Sequence, residues 1–310
     1  MRNETECRDP TCAQQVNRHE TPGTILKMDK NIQQPNTFRF SEIDARAIVS
    51  PQAVIGNGCL VGSGAVVGAS VVLEDEVVVG PNVVFVESDD PTSGLTSRVK
   101  RGVRIGANAT LYAGITLSAE SLVRPGAVVT RSVPPKAIVE GNPAAIVGYV
   151  GTEPSVTTSS LFPDGRGCGV QQTYVRGVSV HTFPIIPDLR GSLTVGEFTK
   201  EIPFAPQRYF MVFNVPSKEV RGEHAHRECH QFLICVRGSC AVVADDGLRR
   251  VEVTLDAPNR GVHLPPLTWG VQYKYSADAL LLVFASQPYD AADYIRDYAD
   301  FLALTVKGAS

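Results

Sequence analysis

AVIGNGCLVGSGAVVGASVVLEDEVVVGPNVVFVES, Ala53 to Ser88, divides without remainder into blocks of six. The third position of each block is aliphatic or aromatic: Ile55, Val61, Val67, Leu73, Val79 and Phe85. A stretch without the pattern follows, DDPTSGLTSRVKRG, and the register then resumes at Val103 with Ile105, Leu111, Leu117, Val123 and Val129 in third place. An amphipathic helix repeats near 3.6 residues and a half-buried strand at 2, so a strict period of six is neither. It describes three short strands per coil, with an aliphatic pointing inward on each face. That is the left-handed, hexapeptide form of parallel β-helix. Small residues at Ala53, Cys59, Ala65, Ala109 and Ala127 suit tight corners, and the frequent glycines permit turn dihedrals.

Outside this prism the chain reads differently. Residues 1–36 are polar and lack the apolar centre of a signal peptide. Cys7, Cys12 and His19 lie there, too few for a zinc knuckle. The β-helix is expected over 37–150. Residues 151–170, rich in Gly, Ser, Thr and Pro, read as a connector, with a second domain over 171–310. In that last part strand-like runs recur at short spacing (VSVHTF, YFMVFNV, HQFLICV, CAVVA, VEVTL, ALLLVFA), as in an antiparallel barrel. The tail DAADYIRDYADFLALT has helical spacing.

The whole chain has 310 residues, 43% of them hydrophobic and 20% charged, with a net charge of −3. No basic field favours nucleic acid or an anionic membrane. No apolar run reaches the roughly 20 residues needed to cross a bilayer. A cytoplasmic location is expected, and seven cysteines in a chain of this size do not suggest a disulfide framework.

Three of the six histidines fall within VRGEHAHRECHQFLICVRGSC, Val220 to Cys240. His224 and His226 are two apart, so on a strand both side chains face one way, roughly 7 Å apart. Three readings follow: a metal site, a pair of proton-transfer groups, or structural barrel histidines. Imidazole titrates near neutral pH, so one ring can take a proton while another returns it. His230 is an even number of residues from both and shares their face unless a bulge intervenes.

The spacing H-x-H-x4-Q-x6-G resembles the first motif of cupin (jelly-roll) barrels, with Gln231 where a metal cupin has glutamate. The second-motif stretch GVHLPPLTWGVQY has its histidine, His263, ahead of the prolines. No metal is therefore expected. Over about 175–305 the chain is similar to the dTDP-4-keto-6-deoxyglucose 3,4-ketoisomerases, and Arg221 to His224 also resembles the Arg-Gly-x-His of sugar-nucleotide 3,5-epimerases. The resemblance implies His224 as base at C3, His226 as the group moving protons near C4, and Arg221 facing an oxyanion or phosphate. It further implies Gln231 as an orienting residue, with Tyr209 or Trp269 stacking on the nucleotide base.

Over roughly 45–150, KRGVRIGANATLYAGITL and AVVTRSVPPKAIVEGNPAAIVG resemble hexapeptide-repeat acyltransferases. Those are trimers that hold acetyl-CoA between neighbouring prisms. The resemblance implies Ala113, Gly114, Arg131 and Lys136 on the CoA side and the loop 89–101 at the acceptor. The prism holds no histidine to serve as base, so Glu87, Asp89 and Asp90 are the candidates there. Together the halves suggest a bifunctional enzyme, a homotrimer or hexamer, acting on dTDP-linked 6-deoxyhexoses: 3,4-ketoisomerisation, then N-acetylation of a 3-amino sugar. The alternatives are a 3,5-epimerase barrel with an acyltransferase or merely trimerising prism, or a sugar-binding scaffold.

Overall fold

The computed structural model describes residues 41–90, 92–153, 168–216 and 218–307. Cys7, Cys12, His19 and most of the expected connector lie outside the described residues. No helix among the described residues is long and apolar enough to cross a membrane.

The six-residue blocks become two- or three-residue strands stacked in three parallel sheets. Leu60 pairs with Val78, and Arg104 with Leu122, each one coil further along. The interruption is shorter than the sequence pattern indicates. Ser97–Val99 is a strand paired with Val71–Leu73, and Val99 is buried, so SRVKRG is a further six-residue block. Val78 pairs directly with Arg104 past the insertion, which leaves the stack unbroken. Each block after the first buries two residues rather than the one expected. The third position is inside, as Val67 and Leu111 are, and so is the first, as Cys59, Ala65, Ala109 and Ala127 are. The glycines meet two separate demands. At the fourth position, a Cβ on Gly106 would lie 2.5 Å from the backbone nitrogen of Pro125 in the next coil. At the sixth, the backbone is left-handed, and Gly114, Asn108 or Glu120 fills it.

The prism closes with an antiparallel hairpin, Ala137–Gly141 with Ala144–Tyr149, which covers the last coil. The chain then enters the second body at once. Thr152–Glu153 joins a sheet beside Arg250–Leu255, and Gly169–Gln172 joins the opposite sheet. Both ends of the expected connector are thus strand.

The barrel is two six-stranded sheets. One contains, in spatial order, Thr152–Glu153, Arg250–Leu255, Cys240–Asp245, Trp269–Tyr273, Arg221–His226 and Tyr294–Ile295. The other contains Gly169–Gln172, Ser179–Thr182, Arg260–Leu264, Gln231–Arg237, Leu280–Ala285 and Arg208–Phe213. Val242, Val253, Leu255, Val262, Leu281 and Val283 fill the space between them. The strand-like runs of the sequence all lie in these sheets or at their ends. The tail differs from its expected helix. Only Tyr298–Lys307 is α-helical, while Ala291–Asp293 is a 3₁₀ turn and Tyr294–Ile295 a strand paired with Ala225 and His226.

The outer face of the first sheet is not exposed. Ala225, Val243, Val271 and Tyr273 share one continuous core with Val133, Val139 and Tyr149 at the end of the prism. Tyr149 meets Tyr273 edge-on at 5.5 Å.

Candidate active site

The strand Arg221–His226 carries a β-bulge. Arg221 lies opposite Gln272, Gly222 opposite Val271 and His224 opposite Gly270, so Glu223 is the extra residue. Three positions apart, Arg221 and His224 would face opposite ways on a regular strand. The bulge puts both on the face of Gln272 and Gly270. Gly222 and Glu223 have φ of 85° and 52°. A Cβ on Gly222 would stand 2.6 Å from the Gly270 carbonyl, so only glycine fits the close approach.

His224 and His226 therefore face one cavity, their ring centroids 5.0 Å apart and nearly perpendicular. The cavity, about 250 Å³ and partly open, is also lined by Cys229, Gln231, Thr268, Gly270 and Gln272. Nδ1 of His224 lies 2.9 Å from the Gly222 carbonyl, which can only accept. The proton is thus assigned to Nδ1, and Nε2 keeps its lone pair. Burial pushes this imidazole down to about 4, so it is neutral, and able to accept a proton, at physiological pH.

His226 is held differently. Its Nδ1 donates to Oδ2 of Asp293 at 2.6 Å, and its Nε2 accepts from the Gln231 amide at 2.9 Å. Burial lowers its pKa while Asp293 works against that shift. Asp293 is itself buried, which raises its pKa, but the Glu228 N–H and the His226 contact outweigh burial and hold the carboxyl below its ordinary value. Tyr294 packs on both imidazoles, with centroids 4.9 and 4.4 Å away.

Three expectations are corrected here. His230 does not join the pair. It precedes its strand, and its Nδ1 lies 2.9 Å from Nε2 of His263, near Phe204, on the far side of the second sheet. Trp269 is not available to a nucleotide. It neighbours Gly270 and so faces the other way, packed between Tyr298 and Phe301 of the C-terminal helix. Tyr209 is 65% exposed on the outer side of its strand, because the inward positions belong to Phe210 and Val212. Arg221 is exposed and does not line the cavity, although the register places it on that face.

In the prism, Oε1 of Glu87 accepts the Ala69 N–H of the preceding coil at 3.1 Å. Oδ1 of Asp90 accepts the Thr92 hydroxyl and N–H, at 2.6 and 2.8 Å, which hold its carboxyl below the usual range. Among the described residues Asp89 makes no hydrogen bond or ion pair. The loop folds onto the corner at Ala113 and Gly114, the residues expected on the CoA side: Leu95 covers Gly114, whose N–H donates to Ser97 Oγ. Arg131 and Lys136 are not brought there. Arg131 pairs with Glu219 of the barrel at 2.8 Å, and Lys136 lies 3.2 Å from Glu120.

Residues 176–306 match the family described as FdtA: WxcM-like, C-terminal. Over 122 residues the chain is 43% identical to a TDP-4-oxo-6-deoxy-alpha-D-glucose-3,4-oxoisomerase of Aneurinibacillus thermoaerophilus, covering 39% of this chain and 88% of that protein. The chain belongs to the FdtA (WxcM-like) family. A 3,4-ketoisomerase structure from Helicobacter canadensis is 37% identical, with a TM-score of 0.41, over 42% of this chain and 98% of that one. Residues 52–87 match the bacterial transferase hexapeptide (six repeats), and residues 97–131 the hexapeptide repeat of succinyl-transferase. A dTDP-3-amino-3,6-dideoxy-alpha-D-galactopyranose 3-N-acetyltransferase of the same Aneurinibacillus species is 39% identical over 83 residues. That alignment takes in 26% of this chain and 42% of the relative, less than half its length.

The donor set of this FdtA-type barrel differs from that of a metal cupin. Gln231 stands where a carboxylate would be needed, and its amide already occupies Nε2 of His226. His226, Cys229 and Asp293 offer ligand atoms within 4.8 Å of one another. Each oxygen of Asp293 also accepts one hydrogen bond, from His226 and from the Glu228 N–H at 2.8 Å. Asp293 is the functional residue that sequence reasoning missed. It lies 67 residues from His226, in a stretch whose spacing looked helical.

Proposed function

We propose that the barrel converts dTDP-4-keto-6-deoxyglucose to its 3-keto isomer, and that the β-helix acetylates the amine later installed at C3, using acetyl-CoA. The observation that carries the first half is the convergence of two imidazoles on one cavity, one with a free Nε2 and one backed by a buried carboxylate. The homologous oxoisomerase supports the substrate class.

In this reading Nε2 of His224 removes the hydrogen from C3. The C–H electrons form the C3–C4 double bond of an enediol while O4 takes up a proton. Delivery of a proton to C4 and loss of the O3 proton then leave the ketone at C3. His226 moves the hydroxyl protons once the substrate displaces the Gln231 amide from its Nε2, and Asp293 stabilises its imidazolium form. Arg221, on the same face, offers a guanidinium to the diphosphate. Gln231 fixes the His226 ring. No redox cofactor enters the balance.

For the prism, the relative named as a 3-N-acetyltransferase supports acetyl transfer. Asp89, unengaged beside the Gly114 corner, is the carboxylate best able to receive an ammonium, with Glu87 and Asp90 shaping the loop. We further propose the division expected from sequence, prism to about 150 and barrel beyond, and a homotrimer or hexamer. Aliphatics on one outer prism face, Ile48 at 67% and Val84 at 38% exposure, support assembly.

Incubating the protein with dTDP-4-keto-6-deoxyglucose and following the product by NMR tests the barrel. A ketone at C3 is expected. Inversion at C5 with the ketone still at C4 would instead establish the epimerase reading. Acetyl-CoA turnover with a dTDP-3-amino-3,6-dideoxyhexose tests the prism.

A further inference from the structure

We propose that Glu223 is a positioning residue for His224, and that the seat which holds it is built by the β-helix, so that isomerisation depends on the junction between the two bodies. The inference rests on the ketoisomerase reading above.

Directly behind the histidine strand lies a cleft of about 550 Å³. Its prism side is formed by Val129, Val133, Val139 and Ile146, and Glu223 reaches it from the barrel beside Val220. The strand's alternation sends Glu223 into this cleft while His224 faces the sugar cavity. Oε1 of Glu223 is fully buried and has no hydrogen-bond partner among the described residues. Burial pushes its carboxyl up from the ordinary value, and its charge bears on the buried Tyr149 hydroxyl. A surface glutamate would show neither feature.

The backbone consequence is specific. Glu223 is the inserted residue of the bulge, in the left-handed region that a residue with a Cβ rarely adopts. Its side chain lines the cleft together with the prism aliphatics, so the bulge and the prism seat occur together. The same bulge turns the Gly222 carbonyl onto Nδ1 of His224, which fixes the tautomer that leaves Nε2 free. The prism also grips the approach to the bulge. Arg131 bonds both the Glu219 carboxylate, at 2.8 Å, and the Lys218 carbonyl, at 3.2 Å. Glu219 is thus anchored to the prism, and Glu223 lines the cleft against it, on either side of Arg221–Gly222.

The full-length chain carrying Glu223→Ala or Glu223→Gln tests this. Wild-type turnover is measured first: an inactive wild type sinks the ketoisomerase reading and this inference with it. With an active wild type, E223A should lose about tenfold or more in kcat with KM changed less than about threefold. Its acid limb in kcat/KM should also rise toward the ordinary imidazole value as His224 loses its fixed setting. E223Q, which keeps the shape, should stay within about threefold of wild type. A folded E223A with unchanged kcat and an unmoved limb overturns the inference and leaves the function intact, as does an E223Q as impaired as E223A. If E223A does not fold, Glu223→Asp, too short to fill the seat, is judged by the same criteria.

Discussion

His224 and His226 are two positions apart in the chain but differ in their whole environment in the fold. The Gly222 carbonyl and burial make His224 a neutral base, lowered to about 4. His224→Asn should therefore abolish exchange of the C3 hydrogen with solvent deuterium, by about a hundredfold or more. Normal exchange would place the base elsewhere. The acid limb of kcat/KM should fall near pH 4 rather than at the ordinary 6.5; a limb at 6.5 would mean that another group controls the reaction. Asp293→Asn keeps the size of the side chain but removes the charge opposite His226. It should cost about a hundredfold in kcat with little change in KM. The pair was legible in the sequence because i and i+2 share a strand face. Asp293 was not, because nothing local marks it: its worth lies in a contact made 67 residues away.

At the scale of elements, the hexapeptide register predicted the prism because each coil repeats one packing problem. Glycine at the fourth position is part of that solution. Gly106→Ala would drive a methyl into Pro125, backbone and ring together, and is expected to cost about 1–3 kcal/mol, read as a lower denaturation midpoint. An unchanged midpoint would mean that the coils can move apart. The barrel strands were legible from alternation and turn residues. The bulge was not. Glu223 carries no local signal for a left-handed backbone, and that one residue decides which face Arg221 shares. The tail misled for a related reason. DAADYI has helical spacing, but the edge beside Ala225 and His226 offers strand pairing that outweighs it.

At the scale of the whole molecule, prism and barrel share one core through Tyr149, Tyr273 and their neighbours. Thermal unfolding should therefore show the barrel and the last coils melting together, by calorimetry and by tyrosine absorbance. Two well-separated transitions would argue against coupling. Stability should also fall with acid. His181, His224, His226, His230 and His263 are all lowered, chiefly by burial, with His224 and His263 at about 4. Their contribution is fully present above the unfolded value near 6.5 and is lost as pH falls toward 4, because the unfolded chain binds protons that the folded one refuses. The melting temperature should hold from pH 8 to 7 and decline steadily between 6.5 and 5.

What the sequence determined by itself was everything that repeats or is local. It held the six-residue coil, the alternating strands, and two histidines on one face, since each follows from geometry spanning a few residues. What only the tertiary structure decided was which groups meet across the chain. Asp293 backs His226, Gln231 holds its other nitrogen, Trp269 turns to the helix, and the prism forms the floor behind Glu223. Such meetings depend on how sheets stack and where one strand gains a residue, and neither leaves a periodic trace.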